Sequence, residues 1–382
     1  MRLLFVGIAF ATFFSSCSKK TEKENEFSDQ LSFSLDTVYV DPGDEILYLQ
    51  DNLYYSDLSA DKSYLINFNP KNVIAERINL DELKLDKKIP FEKEGPNKIP
   101  IYFTGFSINK EEQLLVWSYQ FYSIFDQEAK KVKVLGLEEI AVDYLSDFEI
   151  HPKTFFEIPE QPDRILGVCM QWNDNTYFIL DFDLKSLVYK KIDLPELNKF
   201  DEYHTEIIDG GQNTGGYGVS VSAIATPWKI ILTNNSFNEV LVYDLKKDST
   251  YVKSWDTTLL GYRKKYTPQK RVEHGSEEMN EVFKKLNKEI SYGKLIWDES
   301  KKRFYRFSSS QKFGEEGTDY DKYIATGADV YLSIFDENLN ILAESLVPQL
   351  NAPPKKHFVK GGKIWIFENI EDEMAFVRIG IE

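Results

Sequence analysis

Apolar and polar residues alternate along this chain in short runs, and the runs recur. Six segments share one order: an aromatic or branched residue, a period-2 apolar stretch, an Asp, Asn or Gly, a polar turn and a second strand-like run. They begin at Tyr64 (YLINFN), Tyr122 (YSIFD), Tyr177 (YFILDFD), Val240 (VLVYD), Tyr331 (YLSIFD) and Phe376 (FVRIGIE). Alternation bounded by turn residues predicts strands joined as hairpins. Ahead of each lies another strand pair: EILYLQDNLYYSDL, QLLVWSYQ, RILGVCMQW, KIILTNNS, KLIWDESKKRFYRF and HFVKGGKIWIF. Four strands repeated six times predict an all-β domain over residues 31–382, a six-bladed β-propeller of four-stranded antiparallel blades. The sixth repeat stops after its third strand, so the run 31–41 (LSFSLDTVYVD) is expected to complete the last blade from the N-terminus.

Connection lengths then separate the two faces. In a four-stranded blade the first-to-second and third-to-fourth connections share one face, and the others share the opposite one. Short turns at 69–72, 126–131 and 336–340 are assigned to the first face. Long connections at 81–100, 196–216, 256–290 and 308–329 fall on the second, where binding usually resides. The insertion 256–290 carries a helix. From Ser276, residues Met279, Val282, Phe283, Leu286 and Ile290 form one apolar stripe, with Ser276 as cap and Lys284, Lys285 and Lys288 in the last turns. It is expected either to pack on the propeller as a lid or to dock a partner.

The N-terminus changes the picture of where the domain works. Arg2 and the apolar run from Leu3 to Phe14 precede Ser15, Ser16 and Cys17. That run is too short to span a bilayer, which takes roughly 20 residues, and reads as a cleaved signal over residues 1–16. Small residues directly before a Cys resemble the bacterial lipobox, which makes Cys17 the expected lipidation site and 17–30 a polar tether. Cys169, in an apolar run, is read as a buried hydrophobe. With 46 Lys and Arg against 62 Asp and Glu the formal net charge is −16, which disfavours nucleic acid as a partner.

The lipobox ending Ser15-Ser16-Cys17 and the aromatic-rich repeats together resemble the uncharacterised β-propeller lipoproteins of Bacteroidota, domains of unknown function. The resemblance implies a fold and an envelope location rather than an activity. Residues 18–22 (SKKTE) match poorly the surface-export signal of that group, so an outer-membrane anchor facing the periplasm is expected ahead of surface display.

Candidate chemistry is sparse. Arg263, Lys264, Lys265, Tyr266 and Arg271 (within YRKKYTPQKR) form a basic, aromatic stretch suited to an anionic ligand, or else a solvated loop balancing acidic neighbours. His204, ahead of a Gly-rich stretch with Tyr217, could serve acid–base chemistry or belong to a loop. No HExxH, GxSxG, CxxC or EF-hand pattern occurs; neither a metal nor a cofactor is implied. The expectation is a monomeric binding module, anchored to the membrane by lipid and serving an envelope protein or glycan. A carbohydrate-active hydrolase or lyase using paired carboxylates in the central funnel is one alternative. A sensory or assembly component docking through residues 276–290 is the other.

Overall fold

The computed structural model describes residues 31–382 apart from 101, 159–160, 173 and 315–320. The signal segment, Cys17 and the tether lie outside the described residues.

One local device closes seven of the hairpins. Asn69, Asn79, Asp126, Asp183, Asp244, Asp298 and Asp336 each stand at the last residue of a strand or, for Asp126, just past it, and each Oδ1 accepts two backbone N–H bonds from the following turn at 2.7–3.2 Å. This is the Asx turn, in which a short side chain replaces a backbone acceptor. Each turn leaves through a left-handed residue: Val73, Leu83, Ala129, Leu187, Asp248, Lys302 or Leu339, with φ of 51–63°. That conformation costs roughly 1–2 kcal/mol for a residue with a Cβ. At Leu339 and Ala129 the side chain is buried, which offsets the cost.

The hairpins build six four-stranded sheets, each following the last along the chain. Sheet one comprises Ser56–Leu58, Tyr64–Asn69, Ile74–Asn79 and Lys84–Pro90. Sheet two comprises Gly105–Ile108, Leu114–Ser118, Phe121–Phe125 and Lys131–Val134; sheet three, Ile150–Ile158, Gln161–Gln171, Thr176–Asp183 and Val188–Asp193. Sheet four is Val221–Ala225, Lys229–Asn234, Glu239–Asp244 and Ser249–Ser254; sheet five, Ser291–Asp298, Arg303–Phe313, Ala325–Asp336 and Ile341–Leu346. Sheet six takes His357–Lys360, Lys363–Ile370 and Glu373–Ile381 from the end of the chain and Phe33–Tyr39 from its beginning. The register runs from Phe33 opposite Ile381 to Tyr39 opposite Ala375. A seventh, three-stranded sheet is accessory to these.

Middle strands read as nearly unbroken apolar runs because both of their faces are covered. Tyr64 and Ile66 face sheet two, while Leu65 between them faces sheet six. Likewise Ile165 packs toward sheet two and Leu166 toward sheet four. Six apolar clusters result, one between each pair of consecutive sheets, the sixth and the first included. Each fully buried Leu, Ile or Phe contributes about 1.5–3 kcal/mol. Cys169 is one of these core residues, and burial pushes its thiol pKa up. The first strands of successive sheets pack on one another, and the outer strands carry Lys84, Lys131, Lys133, Lys190 and Lys253, charges that discourage pairing with another chain. The arrangement is propeller-like.

Sheet one departs from the sequence expectation. The run from Tyr64 supplies its second and third strands rather than its third and fourth. The outer strand, Lys84–Pro90, lies inside the stretch expected to be the connection 81–100. The turn at 69–72 therefore joins the second strand to the third, on the long-connection face. Residues 45–53 form no strand. Two other expected loops are structured: 196–216 holds a 3-10 helix, Pro195–Tyr203, and a hairpin, and strands Arg303–Phe313 and Ala325–Asp336 extend well into 308–329. Two short helices, Leu137–Ile140 and Val142–Leu145, join sheets two and three beside the expected helical insertion.

Closure of the sixth sheet is reinforced by charge. Asp36 Oδ1 and Oδ2 accept from Arg378 Nε and Nη2 at 2.7 and 2.8 Å, and Lys363 Nζ adds a third bond at 3.0 Å. The Arg378 hydrogen bond first, then Lys363, holds the Asp36 carboxyl at a pKa of about 2. A depressed carboxylate pKa gives stability that is present above the unfolded value and lost as pH falls through the folded one. Because the site is partly solvated, Asp36→Asn is expected to cost about 1 kcal/mol or less at neutral pH. Denaturation curves of the two proteins should converge as pH falls from about 3.8 toward about 2.

Candidate functional site

Two long insertions of the long-connection face, 196–216 and 256–290, fold onto each other. From the first come the 3-10 helix Pro195–Tyr203 and the antiparallel strands Thr205–Asp209 and Gln212–Tyr217; from the second comes the strand Arg271–Glu273, parallel to Thr205–Asp209. They make the three-stranded accessory sheet, with Gln212–Tyr217 at its edge. The basic stretch is what joins them. Arg263 pairs with Glu202 at 2.8 Å, Lys270 with Asp201 at 2.7 Å and Arg271 with Glu206 at 2.7 Å, every bridge running between the insertions.

Lys264 behaves differently from its neighbours. It is buried, and its Nζ donates to Leu286 O at 2.9 Å and Ser291 Oγ at 2.8 Å. Leu286 lies in the last turn of the helix Glu277–Lys288, whose carbonyls lack partners within the helix. Burial pulls Lys264 down to a pKa of about 8, with Glu289 opposing. The side chain of Lys265 is exposed, and Tyr266 lies under Lys285, 5.5 Å from its Nζ.

His204 is half-buried, and burial lowers its pKa against the opposing pull of Asp201 and Glu206. Its ring occupies space that a side chain would need: a Cβ on Gly216 would stand 3.2 Å from His204 Cε1 and 2.6 Å from Thr205 O. Gly216 thus permits a close backbone approach in a hairpin. Tyr217 lies against Phe283 of the helix, ring centroids 5.8 Å apart. The helix itself begins where expected, Ser276 Oγ accepting from Met279 N at 3.1 Å. Of its stripe only Val282 is fully buried, whereas Phe283 is 39% exposed. Lys322 and Tyr323, in the connection between the two long strands of sheet five, reach Glu277 and Glu281. Among the described residues no cluster of three His, Cys, Asp or Glu stands where it would hold a metal ion.

A second group of charges gathers at the axis, where the first strands of the sheets converge, and sequence reasoning missed it. Asp57 lies on the first strand of sheet one, and its Oδ2 accepts from Ile108 N of sheet two at 2.8 Å. Lys356, just ahead of sheet six, donates through Nζ to Ser56 O at 2.5 Å. Lys294 comes from sheet five. Burial, with repulsion from Lys356, lowers it to a pKa of about 7, Asp57 opposing. Burial lowers Lys356 as well and raises Asp57. His357 is held neutral by burial, with Lys294 and Lys356 adding to the effect, at a pKa of about 3. Lys153, on sheet three, is lowered by burial alone. Two bulges place these lysines. Register skips between Pro152 and Thr154 and between Tyr292 and Leu295, leaving Lys153 and Lys294 out of the ladder, and a bulge re-aims the side chain it carries.

The fold and its axial cluster define an all-β, propeller-like domain with charged groups at its centre. The chain belongs to the family described as Domain of unknown function (DUF4221), whose model matches residues 28–346. It is similar to the crystal structure of a DUF4221 member from Bacteroides vulgatus, at TM-score 0.61 and 15% identity over 92% of this chain and 98% of that one. It also resembles a putative exported protein from Bacteroides fragilis, at TM-score 0.51 and 8% identity over 94% and 97% of the two chains. At these identities the likeness concerns the fold alone. No curated protein matches. The expected resemblance to an uncharacterised family is thereby met.

Removing the Lys264 bonds should free the helix. Lys264→Met is expected to increase hydrogen exchange over residues 277–288, because Leu286 O and Ser291 Oγ lose their donor. In the parent protein the folded pKa of Lys264 lies below the unfolded value, so its ionised form costs stability below about pH 8, and that cost fades as pH rises toward 10.5. Denaturation of both proteins across that interval checks the sign.

Proposed function

We propose that the chain is a lipid-anchored, six-bladed β-propeller that serves the cell envelope as a binding module for a protein partner. Six four-stranded sheets and six interfaces between them support the blade count. The anchor rests on the sequence, where an apolar run and two serines lead to Cys17. Its expected place is the outer membrane, facing the periplasm.

The observation that carries the binding role is the edge strand Gln212–Tyr217. All of it is exposed except the half-buried Tyr217. It presents a row of backbone donors and acceptors with little side-chain cover, because Gly215 and Gly216 have none to offer. Such an edge takes up an extended segment of another protein by main-chain hydrogen bonding. Arg263, Lys265, Arg271, Tyr266 and Tyr217 belong to the same module and would supply its polar and aromatic rim. The chain enters the fold at Phe33 beside its own C-terminus, with Glu382 N donating to Ser32 O at 3.0 Å. That end lies on the short-connection face, so a tether leaving there would turn the accessory sheet away from the membrane. Lysines rather than paired carboxylates dominate the axis, which favours binding over glycoside hydrolysis in this reading.

Photo-crosslinking residues placed at Gln212 or Thr214 in cells are expected to capture a discrete protein, and one at Glu128 on the opposite face is not. Thr214 sits where the hairpin register skips, so Thr214→Pro should abolish capture without unfolding the domain. Capture from both faces alike, or capture that survives Thr214→Pro, would sink the reading. Labelled palmitate should enter the protein and be lost in Cys17→Ser; label retained by that variant rules out the anchor.

A further inference from the structure

The axial lysines carry an inference that does not depend on the accessory sheet. Strands Ser291–Asp298 and His357–Lys360 pack on each other, which brings Lys294 near Lys356, and both lie in the field of one carboxylate, Asp57. Asp57 is itself engaged by Ile108 N and Lys356 by Ser56 O, whereas neither Lys294 nor Lys153 has a hydrogen-bond or ion-pair partner among the described residues. Long ammonium side chains normally extend away from the fold into bulk water. Here two backbone bulges turn them toward the axis instead, against the sign of a chain whose net charge is −16. Lys356 immediately precedes the first strand of sheet six, and Lys294 lies near the start of its own. Both therefore stand at the long-connection end of the axis.

We propose that this end of the axis is a binding site for a small oxyanion ligand, a phosphate or carboxylate group bridging Lys294 and Lys356, with Asp57 fixing the register. The two lysines supply the charge that one carboxylate leaves uncompensated, and the bulge at Lys294 supplies its direction. The groups facing Lys294 are Lys356 and Asp57, with His357 also in its field and neutral. Binding needs Lys294 protonated, and its pKa in the free protein is about 7. An anion beside it raises that pKa, so binding takes up a proton and affinity falls as pH rises, by up to about tenfold per unit.

The test is calorimetric titration of the full-length protein in detergent with inorganic phosphate and, separately, with citrate. It is run one unit below and two units above the Lys294 pKa of about 7, in buffers of different ionisation heat. Saturable binding of either probe, with proton uptake and loss of affinity at the higher pH, is expected; which probe binds tells phosphate from carboxylate recognition. Lys294→Met should reduce binding at least about tenfold without lowering thermal stability, since it breaks no hydrogen bond or ion pair. Lys294→Arg should keep binding and flatten the pH dependence. A readout that needs no variant is reductive methylation mapped by mass spectrometry, in which the bound anion should protect Lys294. No saturable binding of either probe at millimolar concentration, or binding unaffected by Lys294→Met, overturns the proposal.

Discussion

The pairing of Phe33–Tyr39 with Glu373–Ile381 is the contact on which the ring of sheets depends. Each of the six four-stranded sheets packs its two faces on its neighbours, so none has the open face of a sheet that stands alone. The last sheet lacks an outer strand of its own and receives it from the opposite end of the chain. Val38 packs into the cluster between sheets six and one, and Phe33 into that between five and six. The Asp36–Arg378 fork fixes the register in which those residues meet their clusters. A shift by one residue would turn each to the wrong face.

Charge is used in opposite ways in the accessory module and at the axis. In the accessory module each of three bridges joins a cation of the second insertion to an acid of the first, in parallel with the strand pairing of Glu206–Ile208 and Arg271–Glu273. Those cations assemble the module. At the axis the cations outnumber their acid, and no such closure is reached. One arrangement completes itself, and the other is left with positive charge to spare.

Sheets five and six were legible in the sequence because their strands follow the period-2 rule, whereas in sheets two, three and four the runs expected to be strand pairs hold the second strand alone, and the first strands Gly105–Ile108, Ile150–Ile158 and Val221–Ala225 lie outside them. Sheet one was misread for physical reasons at both ends. The run 45–53 looks strand-like, yet Leu47, Leu49 and Leu53 fill the gap between sheets six and one as side chains, without joining a ladder. Lys84–Pro90 looks like a loop because an outer strand keeps only one side in the core and exposes lysines on the other. Val282 and the Ser276 cap were readable from helical spacing, but the burial of Lys264 was not. Nothing in the run YRKKY separates the lysine that reaches Leu286 from those in water. The axial cluster was out of reach for another reason: Asp57, Lys294 and Lys356 are scattered over the chain, and a bulge leaves no mark in composition.

The closing strand also has a mechanical meaning. Phe33–Tyr39 is an edge strand with its free end at Phe33, next to the C-terminus. Tension applied to the preceding residues along the strand would shear its ladder, loading all the backbone bonds to Glu373–Ile381 and the Asp36–Arg378 fork together. The same tension applied sideways would peel those bonds apart one after another. The domain is thus built to hold against an axial pull and to yield to a lateral one, and the first piece to detach would be the strand that closes the ring.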